Sequence, residues 1–297
     1  MATNAHDAVG EPRTKRHKRH ETLYFAFRNR KLVIGLSVLL FFFVLAIVGP
    51  WLTSADPFGF GYPTGQHPTT AHWFGTTAPG QDIFSQFVQG LRSSFIVGSL
   101  ASVVAASIGM AIGFTGGYRG GVIDEILGVV TNVVLVIPTL AVLIIVAAYL
   151  KVGSLTSEAI LIGATSWPWA ARAIRAQTFS LAARDFVSLA RMSGQRNWKI
   201  VLKEIAPNMS SYLLLVMILL FGGSILAAAT LDFLGLGPSQ VMSLGLMMNV
   251  AVSNAALQLG MWWWFIPPGI GITSIVGGLY VMNVGLDEVF NPKLRET

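Results

Sequence analysis

The sequence contains no cysteine and few charged residues. Cysteine is absent from all 297 positions, and Asp, Glu, Lys and Arg together make up 11% of the chain. Without cysteine there can be no disulfide framework and no thiolate chemistry. A soluble globular domain usually carries about 25% charged residues. This deficit, with 53% hydrophobic residues and a mean hydropathy of +0.63, indicates that lipid surrounds much of the chain.

Catalytic and ion-coupling side chains are also scarce. All five histidines (His6, His17, His20, His67 and His72) precede the second long apolar segment, and the H-E-x-x-H zinc-protease pattern is absent. Charged residues fall near the ends of the apolar segments. Glu158 and Arg172 lie at the ends of the segment 157–174, and we expect solvated or interfacial roles for Asp124, Glu125, Asp232, Asp287 and Glu288. A charge at membrane depth usually marks a function. Its absence from the predicted core argues against an intramembrane enzyme and an ion-coupled carrier.

The phosphate-binding loop of nucleotide hydrolases is missing. No G-x-x-x-x-G-K-[ST] pattern occurs, and no Gly-Lys pair is present anywhere in the chain. We therefore predict no bound cofactor or metal in this chain. If transport is driven by ATP, another subunit must hydrolyse it. The basic stretch 13–20, which includes His17 and His20, is interpreted as a solvated tail rather than a metal-binding tract.

Six segments are candidates to cross a bilayer, which takes about 20 apolar residues in a helix. They are residues 32–51, 94–114, 126–150, 157–174, 212–231 and 262–286. Polar residues dilute a further stretch, 241–259, which is predicted to re-enter the membrane or to lie at its surface, with a seventh span as the alternative. The sequence therefore predicts an all-α fold, a polytopic transmembrane helical bundle with six spans.

The distribution of Lys and Arg predicts the orientation. With a cytoplasmic N-terminus, 18 of these residues fall on inner segments, and only Arg92 and Lys151 fall on outer segments. Residues 1–31 then form a basic cytoplasmic tail, 32–52 the first transmembrane helix, and 53–92 an external loop. Residues 93–290 form the transmembrane core, and 291–297 a cytoplasmic C-terminal tail. Because the basic residues flank apolar segments, we expect lipid and not nucleic acid as their partner.

Small residues recur on the second segment at four-residue spacing, at Gly109, Gly113 and Gly117. Such a stripe allows close contact between helices. The contact is either along a pathway or subunit interface, or ordinary packing within the bundle, and packing is the preferred interpretation.

The loop 175–208 is predicted to form a helical hairpin. Its first helix covers 182–193 and stops at Gly194, a natural left-handed residue. Its second helix covers 197–205, with Trp198, Val201, Leu202 and Ile205 on one face, and Pro207 ends it. Such a hairpin can sit in a partner's groove and pass rigid-body motion into the bundle.

Several motifs resemble those of one transporter family. The run D-F-V-S-L-A-R-M-S-G from Asp185 to Gly194, with Pro207 thirteen residues later, resembles the EAA loop of ABC importer permeases. Ser188, Leu189 and Ala190 fall on the Glu-Ala-Ala triplet. Segments at 72–94, 166–177 and 233–237 (H-W-F-G-T with G-Q-D and G-L-R-S-S, S-W-P-W-A-A-R, and F-L-G-L-G) are similar to the oligopeptide/dipeptide group. The resemblance covers about residues 25–295, and the layout is similar to the C-type permease of a pair.

This resemblance implies a type I importer permease with a cytoplasmic coupling-helix hairpin. In that family the loop docks on the ATPase, so the candidate coupling residues are Asp185, Ser188, Leu189, Ala190, Gly194 and Pro207. The implied partners are two P-loop ATPase subunits that bind ATP and Mg²⁺, a second homologous permease, and an extracytoplasmic substrate-binding protein. The implied location is the cytoplasmic membrane of a prokaryote.

The substrate stays open between peptides and oligosaccharides. The region after Gly237 departs from the usual family pattern, and it resembles a branch in which oligosaccharide substrates also occur. Trp262, Trp263 and Trp264 could stack on sugars, although an interfacial aromatic belt is the preferred interpretation. A stand-alone secondary carrier is the alternative from another class. The sequence does not identify the residues that line a pathway.

Overall fold

The protein is described by a computed structural model for residues 25–53 and 55–290. Regular structure in these ranges is helical, apart from one isolated antiparallel bridge between Thr76 and Asp82. The helices are α1 (Arg30–Leu52), α2 (Ile83–Arg119), α3 (Gly121–Val136), α4 (Thr139–Leu150), α5 (Leu155–Ala182), α6 (Asp185–Met192), α7 (Asn197–Ile200), a π-helical turn (Val201–Ile205), α8 (Ala206–Asn208), α9 (Ser210–Phe233), α10 (Leu244–Ser253) and α11 (Trp262–Phe290). The all-α prediction is confirmed. Most of the predicted N-terminal tail and all of the tail 291–297 lie outside the described residues.

Length and hydropathy identify four helices in the described ranges that could cross a membrane: α1, α2, α9 and α11. A fifth candidate is the bent pair α3 and α4, taken as one span. Helix α5 has 28 residues, which is long enough, but Glu158, Arg172 and Arg175 lower its hydropathy. Helix α10 has 10 residues and rises about 15 Å, so the stretch 241–259 does not form a complete span.

The predicted third span is broken in its middle. Helix α3 ends at Val136, α4 begins at Thr139, and their axes differ by 80°. Pro138 lacks the amide donor that a continuous helix needs, and its ring disfavours helical geometry at the preceding residue. Ile137 accordingly has extended backbone angles, φ −76° and ψ 127°. The expectation of one continuous helix over 126–150 is therefore wrong.

Helices α2 and α5 form the main contact of the bundle and run parallel. The glycine stripe of α2 lies against α5, where Gly109 faces Ala170, Gly113 faces Ala171 and Ile174, and Gly117 faces Thr178. In the other direction, Gly163 of α5 lies against Ala101 and Val104 of α2. The stripe therefore packs against a helix of the same chain, as the interpretation of ordinary bundle packing expected.

The first and last spans are antiparallel neighbours. Gly35 of α1 lies against the backbone of Gly278 and Met282 in α11, so that neither helix has room for a larger side chain there. At one end of this pair, Glu288 accepts hydrogen bonds from the Asn29 amide at 2.7 Å and the Lys31 ammonium at 2.5 Å. The first and last described residues consequently lie at the same end of the bundle.

Residues 55–82 cover the opposite end. Asp82 caps α2 by accepting a hydrogen bond from the Ser85 amide at 2.7 Å, and its other carboxylate oxygen lies 2.8 Å from Nδ1 of His72. The Ser85 hydroxyl and the Gln86 amide donate to the carbonyl oxygens of Ala55 and Pro57. Because this cap fixes the start of the helix at Ile83, the helix is longer than the segment from 94 that the sequence predicted.

The tryptophan cluster lies beneath this covering segment. Trp263 and Trp264 are 4% and 0% exposed, whereas Trp262 is 52% exposed. The Trp263 indole donates to the carbonyl oxygen of Thr76 at 3.2 Å, and its ring centre is 4.0 Å from that of His67. Trp263 and Trp264 are therefore core residues. Neither belongs to an interfacial belt, and neither is available to stack on a sugar.

Two acidic side chains near helix ends are buried. Glu158 of α5 is 0% exposed and Asp232 of α9 is 6% exposed. Both stand near helix ends, as the sequence indicated, but neighbouring helices enclose them. The expectation of a solvated or interfacial position is wrong for Asp232.

The α2–α5 contact predicts that an added methyl group destabilises the protein at Gly113 but not at a glycine with open space around it. In Gly113→Ala the new Cβ would lie 2.8 Å from the Ala171 carbonyl oxygen and 2.9 Å from Ile174 Cβ, and such overpacking costs about 1–3 kcal/mol. Gly128→Ala on α3 is the matched control, because no atom lies within 4 Å of its Cβ and alanine favours helix by about 1 kcal/mol. Thermal unfolding of the purified protein should show a lower melting temperature for Gly113→Ala only. Equal melting temperatures would contradict the packing described.

Candidate functional site

The candidate site is the helical hairpin at residues 185–208 (the hairpin). Helix α5 continues to Ala182, and Arg184 takes extended backbone angles before α6 starts at Asp185. The predicted first helix, 182–193, thus belongs partly to α5. The second arm comprises α7, the π-helical turn and α8, and it ends at Asn208 rather than at residue 205.

Gly194 makes the turn between the two arms. Its φ of +72° lies in the left-handed region, where glycine has no Cβ penalty. Its amide donates to the Arg191 carbonyl at 3.0 Å, and the Gln195 amide donates to the Ala190 carbonyl at 3.2 Å. This pair of bonds is a Schellman motif, which satisfies the carbonyl groups at the end of α6. No atom lies within 4 Å of an added Cβ, so the backbone conformation, not space, selects glycine here.

The second arm has a different buried face from the one predicted. Ile200 and Ile205 are both 0% exposed and Met209 is 2% exposed, whereas Trp198 and Leu202 are 55% and 57% exposed. The π-helical turn Val201–Ile205 adds a residue to the helical repeat and shifts the phase of the face. Pro207 follows it, and a proline ring collides with the carbonyl four residues earlier in a regular helix. The predicted common face of Trp198, Leu202 and Ile205 is therefore wrong.

The inner face of the hairpin is packed into the bundle. Val187 and Ala190 of α6 are 0% and 6% exposed. They join Ile200 and Ile205 in one apolar cluster with residues of α2, α5 and α9: Phe114, Tyr118, Ala170, Ile174, Val216 and Leu220. Movement of the hairpin must therefore move the ends of these helices or break this cluster.

Tyr118, near the end of α2, joins both arms of the hairpin. Its hydroxyl accepts a hydrogen bond from Nε of Arg191 on α6 and donates one to Oδ1 of Asn197 on α7, both at 3.3 Å. The Arg191 guanidinium also lies 4.9 Å from the centre of the Tyr118 ring, a cation–π distance. The sequence did not single out Tyr118. The sequence feature that could have identified it is its position directly after the glycine stripe, just beyond the end of a predicted span.

The outer face of α6 exposes large apolar side chains. Leu189 and Met192 are 60% and 76% exposed, and they lie three residues apart on one side of the helix. Arg184 and Arg191 flank them, and both are exposed. An apolar surface of this kind, rimmed by polar residues, is typical of a protein–protein contact.

The predicted coupling residues divide between the two faces. Asp185, Ser188, Leu189 and Gly194 are exposed around α6 and its turn. Ala190 faces inward and packs against the bundle, so it cannot contact a partner directly. Pro207 is exposed, but it lies in the second arm beside the π-helical turn.

Within residues 25–53 and 55–290, no group of three or more His, Cys, Asp or Glu side chains is placed to hold a metal ion.

Comparison with known proteins gives two family matches. Residues 104–296 match the family of binding-protein-dependent transport system inner membrane components. Residues 23–72 match the N-terminal transmembrane domain of oligopeptide transport permease C. The first match spans more than half of the chain and includes the whole hairpin.

Relatives along the full length carry related descriptions. The chain is 31% identical over 270 residues to the dipeptide transport system permease protein DppC of Bacillus subtilis, covering 90% of this chain and 83% of the relative. It is 32% identical over 273 residues to the oligopeptide transport system permease protein OppC of Mycobacterium tuberculosis, covering 90% and 92%. A putative peptide transport system permease of Brucella abortus is 31% identical over 270 residues, covering 90% of each chain.

The Tyr118 contacts predict a local loosening when the hydroxyl is removed. Tyr118→Phe keeps the ring beside Arg191 but loses both hydrogen bonds, and a hydrogen bond contributes about 1 kcal/mol net. The loss of both bonds, about 2 kcal/mol in all, should make the backbone amides of α6 and α7 exchange with deuterium roughly 30-fold faster, since about 1.4 kcal/mol corresponds to a tenfold change. Tyr280→Phe, a 51% exposed tyrosine on α11, is the matched control. Unchanged exchange in Tyr118→Phe would show that the hydroxyl does not hold the hairpin.

Proposed function

The chain belongs to the family of binding-protein-dependent transport system inner membrane components, and we propose that it is the C-type permease of an importer for dipeptides or oligopeptides. It is a transport permease and not an enzyme. The hairpin is the observation that carries the proposal. Its inner face is fixed to the bundle, and its outer face presents Leu189 and Met192 for a partner.

The hairpin would act as a mechanical connection. When two ATPase subunits close on ATP and Mg²⁺, the surface that holds Leu189 and Met192 moves as a body. Because Val187 and Ala190 are buried against the bundle, α6 cannot slide freely. Tyr118 passes the displacement to α2, and the apolar cluster passes it to α5 and α9. Closely packed elements with two discrete arrangements can switch access from one side of the membrane to the other in this way.

The arrangement in the membrane is proposed from the same contacts. Helix α5 would also cross the membrane, which brings the number of spans to six. Its polar residues are tolerated because α2 and α9, not lipid, surround much of it. The hairpin end, which also carries the Lys31–Glu288 pair, would face the cytoplasm with both termini. The covering segment 55–82 would then face the substrate-binding protein outside. A second homologous permease would complete the pathway.

Peptides are the favoured substrate. The relatives cited above are described as dipeptide, oligopeptide or putative peptide permeases. An oligosaccharide substrate would gain from exposed aromatic rings, but Trp263 and Trp264 are buried. A carrier that works alone is disfavoured, because the apolar outer face of α6 would then stay in contact with water.

Isolation of the assembly tests the proposal directly. The tagged chain, extracted from its native membranes in mild detergent, should bring with it P-loop ATPase subunits and a second permease. The double change Leu189→Ser with Met192→Ser should lower ATPase recovery at least tenfold, because it removes the apolar contact surface. Leu226→Ser on α9 is the matched control, since Leu226 is 52% exposed but lies on a membrane span.

The same preparation tests the substrate. Proteoliposomes with the full assembly and its binding protein should take up dipeptides or short oligopeptides in an ATP-dependent manner. Recovery of the chain without any ATPase under several gentle conditions would contradict the importer. ATP-driven uptake of oligosaccharides, with none of peptides, would retain the importer and overturn the substrate.

The turn at Gly194 yields a second prediction. A residue with a Cβ in left-handed geometry costs about 1–2 kcal/mol, and asparagine tolerates this geometry better than most residues. Gly194→Val should therefore distort the Schellman turn and uncouple ATP hydrolysis from uptake, so that hydrolysis persists while uptake falls several-fold. Gly194→Asn is the matched control and should retain most uptake. Normal uptake by Gly194→Val would remove the assigned role of this turn.

A further inference from the structure

A pair of buried carboxyl groups lies near the end of the bundle that is opposite the hairpin. Glu158 stands in the first turn of α5 and Asp232 in the last turn of α9, and their sequence neighbours Ala159 and Leu231 pack in one buried apolar cluster. Neither the coupling scheme nor the family motifs quoted above give these side chains a role.

Glu158 is the unusual member of the pair. Its side chain is 0% exposed, and both carboxylate oxygens lack a hydrogen-bond partner among the described residues. Its sequence neighbour Ala159 and the surrounding buried side chains form an apolar cluster: Val97, Ala101, Leu143, Ala147, Ile162, Ala228 and Leu231. An ionised carboxylate without a partner in such a place is costly, and burial normally forces the group to be neutral.

Asp232 has a different environment. Its side chain lies against Gly245 in the first turn of α10. Ser243 is the N-cap of that helix, so the positive end of α10 lies beside Asp232. Gly237 and Gly245 pack directly against the Asp232 side chain, and an added Cβ at either position would collide with it. Asp232 is therefore held in place beside the N-terminus of α10.

No other charged group in the described ranges takes part. Helix α2 carries Arg92, which is exposed beside α1, and Arg119 at its far end. Helix α4 and α10 contain no charged residue, and Lys151, after α4, is exposed. The charged pair Asp124 and Arg175 of α3 and α5 lies at the other end of the bundle.

We propose that Glu158 and Asp232 form a binding site for a single proton that holds α5 and α9 together. Two neighbouring carboxyl groups with different environments divide their roles, because two negative charges at close range repel each other. Glu158 carries the proton, since its apolar pocket offers no stabilisation for a charge. Asp232 keeps the negative charge, which the N-terminus of α10 favours. Loss of the proton to alkaline solution places two carboxylates in one apolar site and separates the helix ends.

Infrared spectroscopy tests the protonation state directly. The full chain, purified with its co-extracted subunits at neutral pH, should show the carbonyl stretching band of a protonated carboxylic acid. The band should be lost in Glu158→Gln and retained in Glu125→Gln, an exposed acid near the start of α3. It should also be retained in Asp232→Asn, because the proton resides on Glu158. A band unchanged in Glu158→Gln, or absent from Asp232→Asn, overturns the proposal.

Stability as a function of pH provides the second measurement. Because the proton is present at neutral pH and lost as pH rises, alkaline buffer should lower the melting temperature of the natural assembly. This fall should be absent in Glu158→Gln, whose neutral amide replaces a neutral acid, and present in Glu125→Gln. An equal fall in all three proteins overturns the proposal. Stabilisation by Na⁺ or Ca²⁺ that Glu158→Gln abolishes also overturns it, because the site would then hold a metal cation. Neither measurement depends on the transported substrate.

Discussion

The close approach of α2 and α5 is the constraint on which the rest of the structure depends. Glycine at 109, 113 and 117 brings the two backbones together, and Gly163 does the same from the other side. Between helices in lipid, such contact supplies most of the association energy through van der Waals packing. Helix α2 also receives the hairpin at its Tyr118 end and the covering segment at its Asp82 end. A shift of α2 relative to α5 would therefore disturb both ends of the molecule.

The sequence predicted those parts of the fold that local chemistry determines. Gly194 ended α6 as expected, because only a left-handed residue fits that turn. The break at Pro138 could have been predicted from the same local rules, but the sequence analysis treated 126–150 as one span. The π-helical turn before Pro207 was not predictable from periodicity, because one inserted residue shifts the phase of every later position. The prediction of the buried face of the second arm was wrong for this reason.

Burial of the acidic pair and of the tryptophans depends on contacts that are distant in sequence. Glu158 is enclosed by α2, α4 and α9. Helix α4 is near in sequence, but Ala101 of α2 and Ala228 of α9 are 57 and 70 positions from Glu158. Trp263 bonds to Thr76, 187 positions earlier in the chain. Hydropathy near a span end describes a residue's neighbours in sequence, not the helices that pack against it. The exposed face of α6 was equally difficult to predict from sequence. Val187 and Leu189 are both apolar and lie on the same helix, and they differ in burial only because one side of α6 packs against the bundle.

Helix α5 connects the two sites of this chain. It begins beside Glu158 and ends next to the hairpin, with 28 residues that rise about 42 Å. Pro168 lies within it, and a proline is where a helix would bend. The glycine stripe of α2 packs against Ala170 and Ala171 immediately beyond that proline, which limits bending there. A displacement at the hairpin would then reach the acidic pair as rigid-body motion of α5. By reciprocity, a group that fixes the Glu158 end would also bias the position of the hairpin.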